Sequence, residues 1–287
     1  MIEHEIPAGV QPMAAEKYVR RAWPMLPGRA VRQLFERRDV KRGGARLGAG
    51  DAVTGGDVLR LYLPDALTDF SIETVFDDGR LLAAVKPQGL PVDADQDGVG
   101  ADTLRTRLTR IHPTARLCHR LDAATGGLVL AAMDDETEAQ ALQTFRDHAL
   151  QKTYYALAKG GFDRPEGVLR AYLIKDAAKS LVRVVHSPRA GAKPIETRYR
   201  VADERGGIAR VELEPITGRT HQLRAHMADF GHPLLGDDKY GDRELNRRAP
   251  GPLRLWCGKL ALNRDCPLTN YRGQTFAAPP SEWWEPK

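Results

Sequence analysis

Leu81 to Val85 and Leu128 to Met133 are the longest apolar runs in this chain of 287 residues, and their brevity is the strongest constraint on its fold. A membrane helix needs about 20 consecutive apolar residues, so no segment is expected to span a bilayer. Runs this short, bounded by turn residues, read instead as strands of a buried sheet. Around the first, SIETVFDDGRLLAAVKP has apolar residues on both sides of Asp77-Asp78-Gly79, the pattern of a hairpin with an Asp-Gly turn. The second closes LCHRLDAATGGLVLAAM, where a polar loop separates two apolar segments. KTYYALAKG, PIETRYRVAD and GIARVELEP are further strand candidates. Asp134 to Ala149 reads as a helix, with Asp135 and Glu138 at capping-box spacing and Ala141, Leu142, Phe145 and Ala149 on one face. RTHQLRAHMADFG reads as another, closed by Gly231.

Charge divides the chain. Residues 14–64 hold eleven Lys or Arg against five acids, whereas the remainder holds 32 basic and 33 acidic residues. The positive field therefore belongs to a short N-terminal unit, separated by PDALTDF at 64–70, which reads as a linker. In that unit Ala14, Ala15, Tyr18, Val19 and Ala22 recur at helical spacing, as do Val31, Leu34 and Phe35 after Pro27-Gly28, and Leu59, Leu61 and Leu63 alternate as in a strand. Arg29 and Arg32 lie three apart on the second helix, forming either a basic edge or an ordinary solvated face. The cadence of LPGRAVRQLFERRDVKRGG followed by GGDVLRLYLP resembles an S4-like RNA-binding domain, although the first helix lacks that family's Arg and Asp signature. The resemblance implies that Arg29 and Arg32 contact structured RNA.

Several functions are excluded by pattern. Cys118, Cys257 and Cys266 are odd in number and lack CxxC spacing, against both a disulfide framework and a structural zinc site. None of Ser71, Ser180, Ser187 and Ser281 sits in a nucleophile elbow, and there is neither a GxxxxGK[ST] loop nor a GxGxxG before a helix. His221 and His226 are five apart, not the four that places two rings on one helical face, so no metal is expected. The first sixteen residues carry no Lys or Arg and no apolar core, so the reading is a cytoplasmic protein without a secretory signal.

Two segments concentrate charge beside apolar residues in turn-like contexts, CHRLDAATGGLVL at 118–130 and ITGRTHQLRAHMADFGHPLLGDDKYG at 216–241. Asp122, just before the buried strand, sits at the rim of a core and needs a cationic partner, and Arg224 is placed to be semi-buried and to supply it. By residue type alone that pair is as well explained by fold stability as by function.

HRLD, KTY and TGRTHQLRAH followed by GHPLLGDDKYG, in that order and with KPQGLPV upstream, resemble the RluA-type family of RNA pseudouridine synthases over roughly residues 70–250. The resemblance implies an isomerase that breaks the N1–C1′ bond of a uridine and rejoins the base through C5, with no cofactor. It implies that Asp122 is the essential aspartate, acting on sugar or base or assisting departure of uracil. Arg224 would pair with it, and Tyr154 would pack on the target base and help remove the C5 proton. A base must first be flipped out of its stack, at a cost of a few kcal/mol. Arg120 of HRLD, with His119 beside it, would fill the vacated space or grip phosphate, while Arg219 and His221 either contact RNA or cap their helix.

Two departures from the family pattern stand out: Gly126 where Ser is common, and Cys257 where His is usual. The expected architecture is α+β, a pseudouridine synthase fold with a mixed, largely antiparallel sheet flanked by helices over residues 70–287, preceded by the S4-like domain over 14–64. The expected partner is ribosomal or transfer RNA, the expected state a monomer, and the competing reading a non-catalytic RNA-binding or ribosome-assembly factor on the same fold.

Overall fold

The computed structural model describes residues 1–176, 181–280 and 283; Ser180 and most of the closing SEWWEPK lie outside these. The chain forms two compact units: residues 1–72 with 89–115, and residues 73–88 with 116–287.

The first unit is built on strands β1 (Ile2–Glu5), β2 (Val40–Arg42), β3 (Ala45–Arg46) and β4 (Val58–Leu61), in the antiparallel order β1-β4-β2-β3. Helices α1 (Ala15–Ala22) and α2 (Gly28–Glu36) bury Tyr18, Val19, Val31, Leu34 and Phe35 into one core with Leu59 and Leu61. These are the two helices and the alternating strand that the sequence predicts. The continuous segment 14–64 is not the whole unit, however. Ile2 to Glu5 add a strand against Val58 to Leu61, and residues 89–115 return with Val99 in the same core and helix α3 (Leu104–Ile111). The stretch 64–70 is not a free tether: the Phe70 ring lies 5.3 and 5.0 Å from the guanidinium carbons of Arg107 and Arg110 on α3. Arg107 is itself fixed by a buried two-point ion pair to Asp102, at 2.6 and 2.9 Å.

The second unit is a long mixed sheet. Its strands are β5 (Glu73–Asp77), β6 (Leu81–Lys86), β7 (Gly126–Ala132), β8 (Leu150–Lys159), β9 (Glu166–Asp176), β10 (Leu181–Val185), β11 (Lys193–Arg205), β12 (Ile208–Pro215), β13 (Leu255–Leu262) and β14 (Thr275–Ala277). They lie in the order β10-β9-β11-β12-β8-β13-β7-β6-β5, with β14 on β13. Among the described residues only β7 and β13 pair in parallel, through Gly126–Trp256 and Gly127–Cys257. Every residue of β6 and of β7 is buried, which is why these read as unbroken apolar runs. The Asp-Gly hairpin forms as expected, with Gly79 at φ +82°. Strands β9 and β10 are not among the sequence candidates, because the apolar run of β9, Ala171 to Ile174, is only four residues long and its open face carries the apolar Val168, so no clean alternation marks it.

Helix α4 (Asp135–Arg146) starts one residue earlier than its capping-box spacing suggests, since Asp134 is the cap and accepts from the Thr137 N–H at 2.8 Å. Helix α5 (Gln222–Asp229) starts after His221, which adopts a left-handed φ of +53°. No helix among the described residues is long and apolar enough to cross a membrane.

Candidate active site

Asp122 lies in the loop entering β7, and backbone carbonyls on both sides of the loop are tied down. The Lys86 ammonium at the end of β6 donates to the carbonyls of Pro87 and Ala123 at 2.9 and 3.0 Å. Gln88 donates to the Ala124 carbonyl at 3.1 Å, and the Thr125 N–H closes a turn on the Asp122 carbonyl at 3.0 Å. Lys86 is wholly buried, and burial lowers its pKa to about 7 against the opposing pull of Asp122. The Asp122 carboxylate itself stays partly open to solvent, with its side chain 27% exposed.

Arg224 on α5 is 3% exposed and faces Asp122, but the contact is loose: Nη1 to Oδ2 is 4.0 Å. Its firm partner is one the sequence reading did not assign. Asp237, buried, accepts from Nε at 2.8 Å and from Nη2 at 2.7 Å, and Asp238 accepts from Nη2 at 2.8 Å. The two-point bond fixes the plane of the guanidinium and leaves Nη1 to point at the Asp122 carboxylate. Burial pushes the Asp237 carboxyl up, yet the hydrogen bonds and charge of Arg224 outweigh it, and the net value lies below the usual range. The expected Asp122–Arg224 pair forms at 4.0 Å, as the outer end of a relay in which Asp237 holds Arg224 and Arg224 faces Asp122. GDDKY carried this signal, because an acid next to Gly236 at the foot of an apolar stretch has few ways to be buried unpaired.

Alternation along β8 puts Lys152 and Tyr154 on the cleft face. Tyr154 is opposite Cys257 of β13 in register, and the phenol and thiol are hydrogen-bonded. Burial, then Cys257, drive the Tyr154 pKa well above 10, so the phenol remains protonated at neutral pH. Burial likewise pushes the Cys257 thiol up to about 12. Gly126 and Gly127 let β7 and β13 meet: a Cβ on Gly127 would strike the Cys257 backbone, and one on Gly126 would strike the Trp256 ring. Trp256 thus fills the space in which the family's usual serine would sit. Its indole N–H donates to the Ala278 carbonyl at 2.6 Å.

Asp122, Tyr154 and Arg224 line one cleft of about 550 Å³ together with Lys152, Arg219 and His221. At this point comparison with known proteins decides the family. Residues 80–229 match the family described as RNA pseudouridylate synthase. The chain belongs to this family.

As a pseudouridylate synthase family member it is 37% identical over 175 residues to ribosomal large subunit pseudouridine synthase C of Vibrio cholerae, covering 60% of this chain and 54% of that one. To the protein of the same name from Vibrio vulnificus it is 30% identical over 250 residues, covering 80% and 77%. To that of Escherichia coli it is 34% identical over 202, covering 68% and 62%. The match thus spans about half the length of the first relative. Two solved structures share the fold at 24% identity. Human RNA pseudouridylate synthase domain containing 4 superposes with TM-score 0.61, covering 74% of this chain and 90% of that one, and domain containing 1 with 0.60, covering 73% and 84%.

The remaining residues singled out from the sequence fall into three groups. Arg120 and Arg219 are exposed at the rim of the family cleft, with no ion pair among the described residues. His221 lines the cleft with Nε2 4.0 Å from Asp122 and Nδ1 2.9 Å from the Tyr240 hydroxyl, and burial lowers its pKa. His119 also lines the cleft, beside Arg120. Its Nε2 accepts the Leu130 N–H at 3.1 Å, its ring stacks on Phe145 at 4.5 Å, and burial lowers its pKa to about 3, so it stands there as a neutral imidazole. Arg29 and Arg32 are exposed on α2 of the other unit, also without ion pairs among the described residues. By contrast Arg20, Arg21, Arg42 and Arg60 are all bridged to carboxylates. No group of His, Cys, Asp or Glu among the described residues is arranged to hold a metal.

Proposed function

We propose that the protein is a pseudouridine synthase acting on ribosomal RNA, with Asp122 as its essential carboxylate, Tyr154 packing on the target base and Arg224 orienting Asp122. The observation that carries the reading is the convergence of these three side chains in one cleft, with Asp122 the partly open member and Arg224 the buried one. The names of the three bacterial relatives favour large-subunit ribosomal RNA over transfer RNA.

The reaction conserves atoms: N1–C1′ breaks, C5–C1′ forms, the C5 proton leaves and N1 gains one. It needs no redox partner, only a group to stabilise the separated sugar and base, and a carboxylate beside a guanidinium supplies it. Tyr154, kept protonated, does not serve as a free phenolate base. Its part is to stack on the flipped uracil, an interaction of about 1–3 kcal/mol that offsets part of the flipping cost. Arg120 and Arg219 at the rim suit phosphate contact, and Arg29 and Arg32 suit RNA docking by the N-terminal unit, which we take to be S4-like.

The test is a pseudouridine map by carbodiimide labelling and primer extension in cells with the wild-type protein, without it, or with Asp122→Ala. Sites absent from both the deletion and the variant establish activity, residue and substrate together. A map unchanged in all three would instead favour a non-catalytic RNA-binding factor.

A further inference from the structure

The register between β8 and β12 runs from Lys159–Ile208 to Tyr154–Leu213 and stops there, although both strands continue. Carried on, it would set Lys152 opposite Pro215, which has no N–H to give to the ladder. The strands part, and residues 150–153 keep a partner strand only on the β13 side. Between them opens a notch of about 270 Å³ that adjoins the Asp122 cleft, with His148, Lys152 and Pro215 lining both.

The notch has the chemistry of a nucleobase site. Leu150, Pro215 and Ile216 give it an apolar side that suits the face of a base, and the Arg198–Glu214 ion pair at 3.6 Å lines it as well. Its rim carries the side-chain amides of Gln151 and Asn263, both exposed. An amide offers a donor and an acceptor side by side, the pattern that reads a base edge. Lys152 lines both hollows, and its ammonium is of the chemistry that suits a phosphate linking two nucleotides. An incidental fraying of the ladder would also leave a gap, but it would not by itself bring the amide of Gln151 on β8 and that of Asn263 just past β13 to one hollow beside the Asp122 cleft.

We infer that this notch is a second nucleotide subsite, holding the RNA base adjacent to the uridine in the Asp122 cleft and reading its edge through Gln151 and Asn263. The inference rests on the reading of the cleft as a uridine site. Sequence-specific RNA recognition commonly reads splayed, unpaired bases in this way.

The test starts from an unmodified transcript of Escherichia coli large-subunit ribosomal RNA. Stem-loops around each converted uridine are then made with all four bases at each flanking position. The wild type should prefer one base at one flank by about tenfold in kcat/KM, as expected of one good base-edge contact. Gln151→Ala with Asn263→Ala should reduce that preference to less than threefold while kcat on the favoured RNA changes less than twofold. Equal rates on all flanking bases in the wild type, or an unaltered preference in the double variant, overturn the subsite. If no uridine is converted, the cleft reading falls instead. The notch is then judged by hydrogen exchange on the transcript complex: slowed exchange at amides 151–153 supports it, and unchanged exchange overturns it.

Discussion

Asp237→Asn tests whether the guanidinium clamp is what holds Arg224 in place. In the wild type Arg224 is 3% exposed and makes three charge-assisted bonds, two of them to Asp237 at 2.7 and 2.8 Å. Removing one partner of a buried pair costs about 3–5 kcal/mol, because the other charge stays desolvated. Asparagine keeps one acceptor oxygen, and Asp238 still bonds Nη2, so we expect the lower end, about 3 kcal/mol. For a unit of 150–250 residues that is a fall in Tm of about 6–12 °C, measured by circular dichroism with urea denaturation alongside. Asp238→Ala is the control: its side chain is 76% exposed, and the loss should stay under about 1 kcal/mol. Acid supplies a second arm. Because the folded-state pKa of Asp237 is depressed, its contribution is present above the unfolded value and lost only as pH falls through the folded one. The gap between wild type and Asp237→Asn should therefore persist at pH 5 and close only in stronger acid. A Tm within 2 °C of wild type at pH 7 would refute the reasoning, since Arg224 would then be finding compensation that its burial denies.

Other outcomes follow from the same geometry. His119 has a folded pKa of about 3 against about 6.5 unfolded, so its contribution is complete above pH 6.5 and falls away towards pH 3. His119→Gln should flatten the decline in Tm across that window. Tyr154→Phe should retain RNA affinity while Tyr154→Ala weakens it by about 1–3 kcal/mol in a filter-binding titration, and equal losses would argue against stacking. Gly126→Ser should destabilise by about 1–3 kcal/mol through collision with Trp256, and adding Trp256→Leu should restore most of that in the same melt. Arg29→Ala with Arg32→Ala should reduce the slope of log affinity against log salt by about 1.4–1.8; an unchanged slope removes the docking role assigned to α2.

Legibility differed by level. The buried strands β6 and β7 announce themselves because both faces are covered, and α1 and α2 do so through helical spacing. β9 does not, since one face is wet and its single apolar run, Ala171 to Ile174, is only four residues long. The site residues were readable as motifs, but not their wiring. Asp237 and Arg224 are thirteen positions apart and meet only because the chain turns back after α5. Lys86 is the sharper case: a lysine at a strand end reads as solvated, and only the fold reveals that its ammonium is buried among the carbonyls beside Asp122. His119 is placed beside the cleft by its motif, but the stacking of its ring on Phe145 is not visible in the sequence.

The return of residues 89–115 to the N-terminal unit carries a lesson about modularity. The polypeptide passes from one unit to the other three times, after Ile72, after Gln88 and after Ala115. A unit joined at a single seam could be exchanged as a cassette. Here, excising residues 1–72 would strand Val99 without its core and leave the Asp102 N–H without the Ala22 carbonyl it reaches at 2.8 Å. Grafting the N-terminal unit would therefore have to move residues 1–72 and 89–115 together.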